Sequence, residues 1–272
     1  MSESREVRLK LVIAYEGTRY QGWQTQKTGV GVQQKIEEAF AHLFPNPVRI
    51  HGSSRTDTGV HALGMVAHVD LPSEALRMSE AKLPLALNAH LPEDIRVLSA
   101  QRCTPDFHAR FHARGKQYRY FVWNHPAHHP LLRHLSWHVP RPLSAAPMRQ
   151  AARFFLGRHD FRSFAANRNY EVENTVRTLT RLDIRRVGPQ WTFIIEGDGF
   201  LYKMCRGIVG TLVQVGLGRI APEAIPAMLE KRDRRVAGMT APAHGLVLWK
   251  VFYGRKTTGA VLAEGEAWPT ES

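Results

Sequence analysis

The chain has 272 residues, enough for one large domain or two ordinary ones. It carries 37 Lys and Arg against 24 Asp and Glu, a formal charge of +13, with 14 His besides; that balance favours a polyanionic partner, nucleic acid above all. The two cysteines, Cys103 and Cys205, lie far apart and match no metal-ligand spacing, which argues against a disulfide scaffold or a zinc ribbon and for a reducing compartment. No apolar run reaches the length of a membrane-spanning helix, and the first seven residues lack the apolar core of a secretory signal. A soluble cytoplasmic protein without a membrane partner is the expectation.

Taken in order, Arg8 to Tyr15 alternates, with Leu9, Leu11, Ile13 and Tyr15 on one side, and reads as a strand. A polar-aromatic loop with Gly17 and Gly22 follows, then a helix over 32–43 stopped by Pro45. Residues 46–50 and 63–69 read as strands on either side of a polar turn. A second helix is expected over 76–90, closed by Pro92, and a strand over 95–100. The β-α-β-β-α-β order suggests a ferredoxin-like α+β unit with an antiparallel or mixed sheet.

The segment Phe107-His-Ala-Arg-Phe-His-Ala-Arg-Gly115 is a basic, aromatic connector to a strand over 116–123. Between Arg102 and Arg133 six Lys or Arg stand against the single acid Asp106, with aromatics among them. Single-stranded or loop RNA favours that mixture, because bases stack on rings while phosphates need cations; a strand with one buried and one wet face has the same composition. A short helix is expected over 148–156, a turn and strand-like piece over 157–165, a hairpin of 178–186 and 191–197 across Gly188-Pro189, helices over 200–215 and 221–230, and a last strand over 245–253. The expected organisation is an N-terminal α+β half over 6–105, a C-terminal α+β half over 106–255 and a loose tail over 256–272, the two halves sharing a mostly antiparallel central sheet with helices on one face.

Two features carry chemistry. The turn between the strands at 46–50 and 63–69 packs Arg55, Thr56, Asp57 and Thr58 between Gly52 and Gly59, which holds an acid in fixed geometry. Such an Asp, taken alone, reads as a former of its own turn. In the helix from Phe200, Arg206 shares a stripe with Tyr202, Val209 and Val213. A guanidinium on an apolar surface either snorkels to water or faces a carboxylate or an anionic ligand. Asp57, Asp160 and Asp198 are the candidate carboxylates, and the sequence does not choose between them.

Ser54-Arg-Thr-Asp-Thr-Gly-Val-His-Ala62 resembles the active-site motif of the tRNA pseudouridine synthase A (TruA) family. Further segments fall in the same order as in that family: Ala14-Tyr-Glu-Gly-Thr-Arg-Tyr-Gln-Gly-Trp-Gln24, Phe107-His-Ala-Arg110, Lys116-Gln-Tyr-Arg-Tyr120, His159-Asp-Phe161, Gly199-Phe-Leu-Tyr-Lys-Met-Cys-Arg-Gly-Ile-Val-Gly210 and Ala241-Pro-Ala-His-Gly-Leu246. One such string is moderately specific; the ordered set, spanning about residues 9 to 253, is highly specific. Ser53 and Ser54 stand where the family more often has small residues including glycine, and Lys203 and Gly207 replace the more frequent His and Asn.

The resemblance implies the pseudouridine synthase fold and isomerisation of uridine to pseudouridine at nucleotides 38, 39 and 40 of the tRNA anticodon stem-loop. It implies Asp57 as the nucleophile, since a carboxylate can attack the ribose anomeric carbon or the uracil ring and later leave. Tyr118 is implied as the tyrosine that stacks on the target base and assists proton removal. Arg206 is implied as the partner that keeps Asp57 ionised, because a nearby cation lowers a carboxyl pKa that burial raises. Arg55 is implied to fill the stack left by the extruded base, and Thr56, His61, Arg110 and Lys116, within the matched segments, to contact the substrate. A homodimer reading one tRNA across both subunits is implied as well, with no cofactor and no metal. Two rivals remain: a non-catalytic RNA-binding protein built on two sheet platforms, and a synthase of the same fold acting on other tRNA uridines.

Overall fold

A computed structural model describes residues 6–166 and 174–254; the expected tail over 256–272 lies outside them. The elements run β1 (Glu6–Tyr15), α1 (Val32–Leu43), β2 (His51–Gly52), β3 (His61–Pro72), α2 (Leu83–Asn88), β4 (Ile95–Arg102), β5 (Gly115–Trp123), β6 (Trp137–His138), α3 (Ala145–Arg153), β7 (Gly157–Asp160), β8 (Val176–Val187), β9 (Gln190–Gly197), α4 (Met204–Gly216), α5 (Ala224–Lys231) and β10 (Leu246–Phe252). The mixed α+β class and the mostly antiparallel pairing agree with the sequence reading. The described residues fall into two compact units, 6–114 with 248–254, and 115–247.

In the first unit the strand order is β4-β1-β3-β10, with β2 added to β3. β1 is antiparallel to both β3 and β4, in a register that sets Leu9 against Val69 and Lys10 against His68. Its alternation is the one expected: Leu9, Leu11, Ile13 and Tyr15 are buried. α1 buries Val32, Ile36, Ala39 and Phe40 at helical spacing, as an amphipathic helix does.

In the second unit the order is β5-β9-β8-β7, with the two-residue β6 parallel to β5. β5 and β9 pair over their whole length, Lys116 opposite Gly197 and Tyr118 opposite Ile195. α4 is the most buried helix here, with Cys205, Ile208, Val209, Leu212 and Val213 inside.

Several boundaries differ from expectation, each for a local reason. Residues 46–50 are not a strand: Glu37 Oε1 accepts from the Ile50 N–H at 3.1 Å and Gln33 Nε2 donates to the Ile50 carbonyl at 3.1 Å, so α1 side chains take the groups a ladder would use. Only His51 and Gly52 pair with β3. α2 begins at Leu83, not near residue 76, because Pro84 lacks the N–H that a longer helix would need and suits a first turn. α4 begins at Met204 because Lys203 is left-handed, at φ 59°. α3 ends at Arg153, and residues 162–164 form a 3-10 turn where a strand-like piece was expected.

Candidate active site

The turn that carries Asp57 is held by a second loop of the same unit. The Trp23 N–H donates to the Thr56 carbonyl at 3.3 Å, and the Gly59 N–H donates to the Tyr20 carbonyl at 3.3 Å. The Val60 N–H closes the turn on the Asp57 carbonyl at 3.1 Å, with Gly59 at φ 76°. Contact is so close that a Cβ on Gly22 would collide with the Thr56 carbonyl oxygen, and one on Gly17 with that of Val60. Thr56 is buried, its Oγ1 2.7 Å from the Tyr15 hydroxyl, and burial pushes that phenol well above its ordinary pKa. His61 is buried as well, and its Nδ1 accepts the Gly17 N–H at 2.9 Å. That bond makes Nδ1 a lone-pair acceptor, with the Glu16 carboxylate 3.7 Å away. Asp57 itself is half-buried and Arg55 exposed.

The second loop is anchored in turn by Asp94. That carboxylate accepts from the Tyr20 hydroxyl at 2.6 Å and from Arg19 Nε and a terminal nitrogen at 2.9 and 2.6 Å. The sequence reading did not single out Asp94. Its signal was only its place before a strand, far from the turn that it supports through Tyr20.

The remaining candidates lie in the second unit, Arg110 excepted. Tyr118 is buried on β5, its ring edge-to-face with Phe200 at 5.1 Å, and Lys116 stands two residues before it on the same side of the strand. Arg206 sits in the first turn of α4, half-buried, where its Nε donates to the Ala241 carbonyl at 2.8 Å while the Ala241 N–H returns a bond to the Arg206 carbonyl at 3.0 Å. The Tyr120 hydroxyl donates to the adjacent Pro242 carbonyl at 2.8 Å; burial drives that phenol far up, and Arg206 opposes the shift. A Cβ on Gly245 would press on the Tyr120 ring, 2.6 Å from Cζ. The segment from Ala241 to Leu246 therefore acts as a bracket: it fixes both Arg206 and β5. Gly207 has its own reason to differ from Asn, since a Cβ there would collide with the Phe164 carbonyl oxygen.

Arg55, Thr56, Asp57 and His61 thus stand together in one turn, and Lys116 with Tyr118 on one strand. Arg110 is exposed in the first unit, its guanidinium 5.8 Å from the Phe111 ring. Of the three candidate carboxylates for Arg206, Asp160 is in an ion pair with Arg232, at 3.2 Å, and Asp198 accepts from the Thr178 N–H at 3.0 Å.

Chemically, a half-buried carboxylate on an immobilised turn is suited to nucleophilic attack, and a buried tyrosine facing an aromatic ring is suited to holding a planar base. Residues 11–112 and 151–254 match the family described as tRNA pseudouridine synthase. A protein of Acetivibrio thermocellus named tRNA pseudouridine synthase A is 45% identical over 245 residues, covering 90% of this chain and 99% of that protein. Proteins of the same name from Bacillus subtilis and Exiguobacterium sibiricum are 44% identical over 249 residues and 42% over 252, covering 91% and 93% of this chain and 99% of each.

Proposed function

This chain belongs to the tRNA pseudouridine synthase family, and on that premise we propose that it isomerises uridine to pseudouridine at nucleotides 38, 39 and 40 of the tRNA anticodon stem-loop, with Asp57 as nucleophile. The observation that carries the assignment of Asp57 is the locked turn: its backbone is tied to the 16–26 loop from both sides of the acid. The carboxylate attacks the target nucleoside, at the ribose anomeric carbon or on the uracil ring. The glycosidic C–N bond breaks, and the uracil turns and rejoins the ribose through carbon 5. Asp57 leaves, the proton on carbon 5 is removed with assistance from Tyr118, and nitrogen 1 of the uracil, freed of its glycosidic bond, takes up a proton. Atoms balance without an added co-reactant, as an isomerisation requires.

In this reading Arg206 keeps Asp57 ionised, and Tyr118 stacks on the target base. Support comes from the reciprocal Arg206–Ala241 bonds, which hold the arginine in place at the start of α4. Arg55, exposed beside Asp57, takes the place of the extruded base; Thr56, His61, Arg110 and Lys116 contact the substrate. The protein works in the cytoplasm as a homodimer.

The test is to map pseudouridine in unmodified bulk tRNA after incubation with the protein. Modification confined to nucleotides 38 to 40 supports the reading. Modification elsewhere assigns the chain to another uridine set, and binding without product assigns it to non-catalytic RNA binding. A double-mutant cycle joining Asp57→Asn and Arg206→Ala in single-turnover rates should show strong coupling; additive losses remove the pair.

A further inference from the structure

Three histidines gather on the first unit beside the Asp57 turn. His51 and Gly52 form β2, which leads into that turn; His68 stands opposite His51 on β3; His108 reaches the pair from the segment after β4. One ring nitrogen from each lies within 4.8 Å of the others. His51 stacks on His68 at 4.9 Å, and His108 meets His68 edge-on at 4.7 Å. His68 is buried, His108 half-buried and His51 exposed, so the group opens to solvent over a buried floor.

The hydrogen bonds fix what these rings offer. His68 Nδ1 accepts the Ala109 N–H at 3.2 Å. His108 Nδ1 accepts the Arg110 and Phe111 N–H groups at 3.1 and 3.3 Å. Each ring therefore carries its proton on Nε2, and Nε2 is a donor. A metal ion needs a lone pair there and would have to displace that proton while Nδ1 still faces N–H groups. Donors sharing one oxyanion oxygen stand about 4.6–4.8 Å apart, a separation within the 4.8 Å bound on this trio. The surroundings also favour an anion. Arg8, from β1, lies near the rings, although Asp70 of β3 already binds it at 2.6 and 2.7 Å. Arg110 adds positive charge on the His108 side. Burial, Arg8 and the other rings hold His68 down to about 4, and burial with His51 lowers His108. Phe111 is 74% exposed with its ring 4.2 Å from that of His108, a stacking surface beside the donors.

We propose that His51, His68 and His108 form a phosphodiester-binding site for the tRNA backbone, with Phe111 receiving an adjacent base. The inference rests on the tRNA reading above. His68 and His108 bind the anion as neutral Nε2–H donors, their Nδ1 atoms keeping the backbone N–H bonds.

The test compares wild type, His51→Ala and His108→Ala in pseudouridine formation on unmodified tRNA. Ala removes the ring and its N–H donor. The variants should raise the tRNA KM by about five-fold, with the loss in KM and not in kcat. His51→Ala changes an exposed ring and keeps the test alive if His108→Ala fails to fold. A wild-type KM in an active His51→Ala protein overturns the site. So does one equivalent of tightly held zinc that the variants lose. A wild-type protein that makes no pseudouridine in tRNA defeats the parent reading instead, and the two failures are distinct.

Discussion

Asp57 and Arg206 are supported in opposite ways. Asp57 sits on a turn held by backbone-to-backbone bonds to the 16–26 loop, which Asp94 anchors through Arg19 and Tyr20. Arg206 sits on a buried helix, where Gly207 and Gly210 let the Phe164 and Met239 carbonyls reach the helix surface. Loop-to-loop bonding can fail locally while a unit stays folded, because loops lie at the low end of local stability. A helix packed through its glycines cannot shift without disturbing the core around it. Changes near Asp57 should therefore cost rate first, and changes near Arg206 should cost stability first.

The largest effect should come from Gly22→Ala. Gly22 is at φ 81° and faces the Thr56 carbonyl, so a methyl group pushes the loop off the turn. Turnover should fall by about 10²-fold or more, since a shift of about 1 Å at a reacting group costs that much, while the far-ultraviolet spectrum stays native. Equal losses of rate and fold would erase the contrast between the two supports.

Next is acid stability, which belongs to the first unit. His68 titrates near 4 when folded, chiefly because burial disfavours its charged form, against about 6.5 unfolded. Between those values the unfolded chain binds the extra proton, so stability is full above about 6.5 and falls as pH drops towards 4, by at most about 3 kcal/mol. Denaturant midpoints measured from pH 7 to 4 check this, and His68→Gln should flatten the profile. A third expectation is that Gly207→Ala costs about 2 kcal/mol, because its methyl group overpacks against the Phe164 carbonyl; urea unfolding measures it, and a neutral result would mean that α4 yields easily. The smallest effect should be Lys203→Gly. Its left-handed φ of 59° strains a side chain, and glycine should add about 0.5–1 kcal/mol of stability, visible as a higher melting temperature.

Much of this was legible in the sequence. The alternation of β1 and β5 and the helical spacing of α1 came through because burial on one face writes a period into the chain. The failures were tertiary. Residues 46–50 look like a strand, yet Glu37 and Gln33 of α1 take the bonds of Ile50. Lys203 adopts a conformation that nothing in its neighbours announces. Within the candidate site, the motif around Asp57 was visible as a string, whereas the reason it is rigid lies in Tyr20, Trp23 and Asp94, brought in from other elements. The histidine trio was invisible for the same cause: His51, His68 and His108 are far apart in the chain and meet only across paired strands and the segment after β4.

The central claim is that the carboxylate of Asp57 is the nucleophile. Tritium release from tRNA carrying 5-tritiated uridine tests it most directly, with wild type beside Asp57→Asn, whose amide keeps the shape of the side chain and removes its charge. The account predicts release by wild type and none by the variant, with tRNA binding and fold retained. Full release by Asp57→Asn would contradict it.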